Sequence, residues 1–190
     1  MTAVAAPLCH NPGSESVQTD NEGAEFPAQF RAAMGQLGGG VSIITVGRGN
    51  DRSGLTSNSV TSLSLDPPSL LVCVNRQSSS WPLIHRYRAF GVNVLAPQHQ
   101  PVAETFSGKS GLKGNERYAG SQWFELATGA PLLADAIAAI DCEVEEMIDR
   151  HSHSIVIGRV RAIRHSPAAR GLIYWRGRYL PLTSSHSNSR

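Results

Sequence analysis

The sequence predicts a mainly β domain with a few short helices, arranged as a closed or nearly closed antiparallel barrel. Apolar and β-branched runs bounded by Gly, Pro, Asn or Asp recur along the chain, without the regular strand–helix alternation of a doubly wound sheet. The 190 residues, of which 41% are hydrophobic, are enough for one domain with a real core. Closure removes exposed strand edges, which favours a barrel over an open sheet.

The elements follow from local periodicity and from the residues that interrupt it. Apolar residues from Phe26 to Leu37 recur at helical spacing, and three glycines then end this amphipathic helix. Two further short helices are predicted at 81–88 and 101–106, and a loop rich in Gly, Lys and Ser at 107–115. Strands are predicted at 41–46, 54–65, 70–75, 90–95, 140–148, 153–163 and 172–179.

The ends of the chain differ in composition from its middle. Residues 1–25 read as a flexible N-terminal arm without a secretory signal, residues 26–182 as the domain, and residues 183–190 as a polar C-terminal tail. No apolar run is long enough to span a bilayer, and the three cysteines form neither a disulfide framework nor a metal-ligand spacing. We therefore expect a soluble, cytoplasmic protein with no metal.

Composition and missing motifs exclude several function classes. The net charge of +2 is small and its basic residues are scattered, which argues against a nucleic-acid binder. Neither GxGxxG after a strand nor GxxxxGK[ST] occurs, so a Rossmann site and a P-loop are not indicated. A GxSxG elbow is missing as well. Any nucleotide would have to be held in another way.

The segment 54–68 is the most informative part of the chain, because short polar side chains dominate a strand-like stretch. Val60, Leu63 and Leu65 can face a core. Short donors and acceptors are offered by Thr56, Ser57, Asn58, Ser59 and Ser62. Such a strand suits a planar ligand that carries a phosphate. A solvated edge strand explains this segment alone equally well.

Three smaller patterns add candidates. Ser80 is placed as the N-cap of the helix at 81–88, where free amides can also receive a phosphate. Near the C-terminus, the run 174–179 is either a hairpin that covers the barrel or a site where an aromatic ring flanks a flat ligand and an arginine meets a phosphate. His151 and His153 would share one face of a strand, but no third metal ligand is evident, so a zinc site is the weaker interpretation.

In their order and spacing, these segments resemble the short-chain flavin reductases. These are the reductase components of two-component flavin-dependent monooxygenases, such as those acting on 4-hydroxyphenylacetate or chlorophenols. The resemblance rests on FRAAMG at 30–35, GLTSNS at 54–59, SLSLDPP at 62–68, CVN at 73–75, FGVNVL at 90–95, AETFSG at 103–108, RY at 117–118, HSIVIGRV at 153–160 and YWRG at 174–177. No single motif is specific, but the set covers most of the chain.

The resemblance implies an FMN-binding split β-barrel of antiparallel Greek-key type, with the flavin at a homodimer interface. It implies flavin-binding roles for Thr56, Ser57, Asn58, Ser59, Ser62, Asn75, Ser80, Ser107, Lys109 and Tyr174. By the same resemblance His153 lies beside the nicotinamide as the catalytic residue. Relatives often have Gly-Asp before this histidine, whereas this chain has His151-Ser152, so a carboxylate that could orient it is missing.

The function implied is an NADH:flavin oxidoreductase that reduces FAD or FMN, with FAD slightly preferred. Its reduced flavin would diffuse to a partner monooxygenase that hydroxylates an aromatic compound. Two alternatives remain: a pyridoxamine phosphate oxidase-like enzyme on a similar barrel, and a flavin-binding protein without activity. Neither alternative would consume NADH.

Overall fold

The structure is a computed structural model that describes residues 25–166 and 170–182. The predicted arm, apart from its last residue, and the predicted tail lie outside the described residues. The described chain has three α-helices: α1 (Phe26–Met34), α2 (Trp81–Tyr87) and α3 (Gln100–Phe106). It also has two short 3-10 helices, at Pro97–His99 and Gly114–Tyr118. No helix in the described parts is long and apolar enough to cross a membrane.

The domain is built mainly from antiparallel strands, which confirms the predicted class. In chain order the strands are β1 (Gly39–Gly40), β2 (Ser42–Arg48), β3 (Asp51–Ser57), β4 (Thr61–Leu65), β5 (Pro68–Asn75), β6 (Ala89–Val94), β7 (Trp123–Phe124), β8 (Leu132–Leu133), β9 (Ala138–Arg150), β10 (His153–His165), β11 (Leu172–Trp175) and β12 (Arg178–Pro181). The main sheet has the order β3-β2-β6-β9-β10-β5-β4, while β1 pairs with the β11–β12 hairpin and β7 with β8.

The connection between β3 and β4 forces this sheet to curl. These strands form its two edges, yet only residues 58–60 separate them in the chain. Four Cα–Cα steps reach at most about 15 Å, whereas the edges of a flat seven-stranded sheet lie roughly 29 Å apart. The edges must therefore approach each other, which gives the nearly closed barrel.

Strand β2 shows why the core has two parts. Its residues are buried on both faces, as expected for the middle of a covered sheet. Ile43 packs with the residues of α3 and the C-terminal hairpin, while Ile44 and Val46 pack with the residues of α2. The alternation of side chains along one strand thus places β2 between two apolar layers.

Two strand predictions were wrong in their extent. The segment 54–65 is not one strand but the end of β3 and the whole of β4, which belong to opposite sheet edges. Leu63 and Leu65, expected to face a core, are 51% and 88% exposed because β4 is an edge strand outside both core clusters. The segment 172–179 likewise is not one strand but turns back on itself, as the hairpin interpretation of residues 174–179 predicted.

Helix α1 exists as predicted but is shorter. It ends at Met34, where the amides of Gly35 and Gln36 donate to Arg31 O and Ala33 O, so the three glycines are not needed to stop it. Gly39 and Gly40 instead pair with β11 as β1. None of the residues of α1 is buried in the described chain, which leaves Phe30 and Met34 exposed.

Candidate active site

The end of β3 opens into a small cavity of about 180 Å³. Its walls come from β3, from the loop after α3 and from the C-terminal hairpin. The lining residues are Val41, Thr56, Ser57, Asn58, Ser107, Lys109, Tyr174 and Tyr179. Six of these eight positions were predicted as site residues, and folding brings them together from three separate segments.

Hydroxyl groups fix the turn that follows β3. The Ser57 hydroxyl accepts a hydrogen bond from the Ser59 amide at 3.1 Å and lies 2.9 Å from the Ser59 hydroxyl. The Ser59 hydroxyl in turn accepts from the amide of Cys73 in β5 at 3.2 Å. Such local side-chain bonds hold a turn in place of a strand ladder. They therefore stop β3 at Ser57 and tie the turn to β5, the neighbour of the edge strand β4.

Asn58 lines the cavity and packs closely against Gly39. Gly39 pairs with Tyr174, and a Cβ built on Gly39 would lie 3.0 Å from the backbone oxygen and 3.1 Å from the Cβ of Asn58. These separations are closer than Cβ atoms normally tolerate, so any side chain at Gly39 would push Asn58. Gly39 therefore sets the position of the amide side chain.

The loop after α3 reaches the cavity because α3 is bound to β3. The Thr56 hydroxyl donates to the carbonyl of Ala103 in α3 at 2.6 Å. At the far end of the loop, the Arg117 guanidinium donates to Gly54 O at 2.6 Å and to Leu112 O at 2.9 Å. The bonds at Thr56 and Gly54 thus tie both ends of the loop to β3. They bring Ser107 and Lys109 to the cavity.

Two tyrosines form an aromatic wall. The rings of Tyr174 and Tyr179 face each other across the β11–β12 pair, edge to face, with centroids 5.1 Å apart. Burial, followed by the neighbouring Tyr174 and Glu104, raises the pKa of the Tyr179 phenol above its ordinary value. An ordinary tyrosine phenol already keeps its proton at neutral pH, so Tyr179 remains a hydrogen-bond donor there.

A larger cavity of about 800 Å³ adjoins the small one and shares Asn58 and Tyr174 with it. Its other walls come from the end of α1 and from the turn of the C-terminal hairpin, including Arg31, Gln36 and Arg176. In the sequence, α1 is marked only by its apolar periodicity, which does not predict that the polar residues at its end line a cavity.

The comparisons with known proteins agree with this geometry. Residues 34–183 match the family model described as the flavin reductase like domain. This chain belongs to that family. Both the predicted family and the predicted fold are confirmed.

Two curated relatives show how similar this chain is to known members of the family. The FMN reductase (NADH) RutF of Bradyrhizobium diazoefficiens is 39% identical over 149 residues, which are 78% of this chain and 82% of the relative. The FMN reductase (NADH) RutF 2 of Methylorubrum extorquens is 38% identical over 91% of this chain and 99% of its own length.

Solved structures agree in fold. The NADH:FAD oxidoreductase SgcE6 of Streptomyces globisporus aligns with a TM-score of 0.80 at 28% identity, covering 91% of this chain and all of that chain (100%). BorF, the flavin reductase component of a bacterial two-component tryptophan halogenase, has a TM-score of 0.76 at 31% identity and covers 83% of this chain and 99% of its own.

The lining of the small cavity in this flavin reductase fits a flavin by its chemistry. Small hydroxyls and the amide of Asn58 match a flat ring with polar edges, and the tyrosine rings match its faces. Lys109 supplies a positive charge for a phosphate. An acid–base pair is not part of this lining, and hydride transfer between cofactors needs little of one.

His153 and Asn75 are placed together, away from the lining of this cavity. They face each other across the β5–β10 ladder, and both are exposed. Asn75 follows Cys73 by two residues on the same face of β5, and Cys73 holds the Ser59 hydroxyl. The turn after β3 is therefore bonded to the strand that carries Asn75.

Two predicted site residues lie in other surroundings. Ser62 is exposed on the edge strand β4, opposite Leu70, and does not line the cavity. Ser80 occupies the N-cap position of α2, but its side chain does not cap the helix. It is fully buried instead and donates to the Ser53 hydroxyl at 3.3 Å, so it offers no surface to a ligand here.

The histidine pair is not arranged as a metal site. His151 lies in the turn before β10 with a φ of 50°, so it does not share a strand face with His153. Within residues 25–166 and 170–182, no three His, Cys, Asp or Glu side chains are grouped as metal ligands.

Proposed function

We propose that this NAD(P)H-dependent flavin reductase takes a hydride from NADH, passes it to FAD or FMN, and releases the reduced flavin. The single observation that carries the proposal is the cavity in which the polar residues at the end of β3 meet Ser107, Lys109 and Tyr174. The names of the relatives, FMN reductase (NADH) and NADH:FAD oxidoreductase, support the same chemistry.

A bound flavin supplies the hydride acceptor, and the residues of this chain orient it. Ser57 and Asn58 hold polar edges of the ring system from a turn that its own hydroxyls fix. Thr56 already donates to Ala103 O, so its side chain can only accept from a ligand. Lys109 neutralises phosphate charge. Because hydrogen bonds fix Thr56 and the turn at Ser57 before binding, less reorganisation is left for the reaction itself.

His153 is proposed to contact the nicotinamide, as the resemblance implies. Its Nδ1 lies 2.8 Å from the Ser152 hydroxyl, which orients the ring. Asn75, its partner across the ladder, is proposed to hold the flavin together with Ser59. Ser62 would contribute through its backbone. The burial of Ser80 argues against direct contact between its hydroxyl and a phosphate.

The two kinds of relative leave the choice of flavin open to experiment. The FMN reductase names favour FMN, whereas the structural alignment with an NADH:FAD oxidoreductase supports FAD. We retain the slight preference for FAD that was expected from the sequence.

The reduced flavin is proposed to reach a separate monooxygenase that hydroxylates an aromatic compound. BorF is the reductase component of a two-component halogenase, and PheA2 is a flavin reductase whose structure aligns with a TM-score of 0.75. A cytoplasmic location belongs to the same proposal. Cys73 and Cys142 are free thiols, as is usual in a reducing compartment.

A homodimer is also part of the proposal. The helix α1 buries none of its residues within the described chain, and Leu65 on the edge strand β4 is 88% exposed. Exposed apolar surface of this kind is typical of a protein interface. Light scattering coupled to size exclusion would show about twice the mass of one chain, and a monomer mass would contradict the proposal.

The decisive experiment follows NADH absorbance with purified protein in air, with FAD or FMN added separately. We expect NADH absorbance to fall rapidly only when flavin is added. The rates with FAD and with FMN then rank the two flavins as substrates. Tight flavin binding without loss of NADH or NADPH would instead favour a flavin-binding protein or an amine oxidase of similar fold.

A further inference from the structure

We propose that Arg31 and Arg176 bind the diphosphate of the nicotinamide dinucleotide, in the larger cavity beside the flavin residues. This inference rests on the proposed function and adds the residues that hold one substrate. The two cavities differ in size. The small cavity of about 180 Å³ is below the roughly 300–1,000 Å³ of ordinary ligand pockets, whereas the adjoining cavity of about 800 Å³ is within that range.

The two cavities form one cleft. Asn58 and Tyr174 line both of them, so a ligand that reaches the flavin residues can extend into the larger space. A dinucleotide has this shape: a flat reactive ring at one end, joined through a ribose to a diphosphate. The diphosphate would lie in the larger space, toward the end of α1.

The charge of the larger cavity suits a diphosphate. Arg31 and Arg176 both line it, and its described lining contains no carboxylate. The Nε and Nη2 atoms of Arg176 donate to the amide oxygen of Gln36, at 2.8 Å and 2.5 Å. This acceptor is neutral, so it orients the guanidinium without cancelling its charge. Two arginines match the two negative charges of a diphosphate.

The backbone of Arg176 adopts a strained conformation. Residues Arg176 and Gly177 form the two-residue turn between β11 and β12, with φ values of 47° and 79°. Such a turn favours Asn-Gly, because a side chain like arginine is strained at positive φ. Hydrogen bonds to the end of α1 hold it: Arg176 N donates to Gly35 O at 3.1 Å and Trp175 Nε1 to Gln36 O at 3.1 Å. Strain kept at a cavity wall is typical of functional positions.

The test compares Arg176→Asn and Arg31→Gln with Arg159→Gln, a control of the same residue type. Arg159 is exposed on β10 and lines neither cavity. Asparagine suits the positive φ, so Arg176→Asn removes the guanidinium without straining the turn. Loss of a charged hydrogen bond predicts that the KM for NADH rises about tenfold in each variant, with kcat nearly unchanged. The control is expected to stay within about twofold of the parent.

Two binding measurements complete the test. ADP-ribose, which carries the diphosphate without the nicotinamide, is titrated calorimetrically, and its Kd should rise in parallel with the KM for NADH. FMN and FAD are titrated separately, and both affinities should be unchanged. Unchanged KM and ADP-ribose affinity in both variants would overturn the proposal.

A loss of FAD affinity, with FMN and NADH unaffected, would assign the arginines to the flavin's diphosphate and overturn the assignment to NADH. If the parent protein oxidises no NADH with either flavin, the proposed function fails. The ADP-ribose titration needs no turnover, so it still decides the role of the arginine pair.

Discussion

The hydroxyl of Ser152 lies 2.8 Å from Nδ1 of His153, so the residue before the histidine holds one of its two ring nitrogens. The sequence has no carboxylate at this position, which left the orientation of the ring without an evident partner. A hydroxyl can either donate to or accept from the ring, so it orients His153 in either tautomer.

We expect His153→Ala to lower NADH-dependent turnover about tenfold to a hundredfold, because a misplaced nicotinamide loses its orientation. Flavin affinity should change less than about twofold. Steady-state kinetics and a flavin fluorescence titration measure the two effects. His151→Asn, which suits the left-handed turn, is the control and should behave as the parent. Loss of flavin affinity together with normal turnover of the remaining complex would contradict the assignment.

Asn58→Ala should act mainly on the flavin. Loss of the amide at the point where both cavities meet is expected to raise the flavin Kd about tenfold, as for one well-placed hydrogen bond to a polar ligand. Asn50→Ala, in the exposed turn before β3, provides a control of the same residue type. An unchanged titration would remove Asn58 from the site.

Gly39→Ala and Gly40→Ala form a matched pair within β1. A Cβ at Gly39 would press on Asn58, whereas a Cβ at Gly40 meets nothing within 4 Å. We therefore expect Gly39→Ala to weaken flavin binding several-fold and Gly40→Ala to leave it unchanged. Circular dichroism would verify that both variants fold. Equal affinities would show that Asn58 is not positioned through Gly39.

Ser80→Ala separates a structural from a binding role. The buried hydroxyl bonds to Ser53, so its loss should lower the free energy of unfolding by about 1 kcal/mol. Flavin affinity should not change, whereas Ser107→Ala, at the cavity, should reduce it. Denaturant unfolding and flavin titration measure the two quantities. A flavin Kd that rises in Ser80→Ala without a loss of stability would restore Ser80 to the phosphate site.

We expect Cys142 to make the free energy of unfolding fall as the pH rises into the alkaline range. Burial, with a smaller effect of the charge on Asp141, raises the pKa of this thiol from 9.0 to about 12. The unfolded chain loses the thiol proton first, so the contribution of Cys142 is complete below pH 9 and is lost between pH 9 and about 12. Unfolding free energies over this range should fall more steeply in the parent than in Cys142→Ala. Parallel curves would contradict the prediction.

Local patterns were sufficient wherever an element is decided by its own residues. The buried strands β2, β5 and β6 were predicted within a few residues, because continuous apolar runs have few other solutions. The segment 54–65 was misread as one strand. The sequence does not distinguish a serine within a strand from one that ends it, as Ser57 does by accepting a hydrogen bond from the amide two residues later.

The sequence by itself determined the class of fold, the family and most of the polar residues that line the small cavity, because these depend on residue types in a fixed order. Only the tertiary structure decided which of them meet. It buried Ser80 beside Ser53, placed Ser62 on an exposed edge, and brought the end of α1 against the turn at Arg176. Closure of the barrel and docking of the hairpin join residues far apart in the chain, and local periodicity carries no information about such contacts.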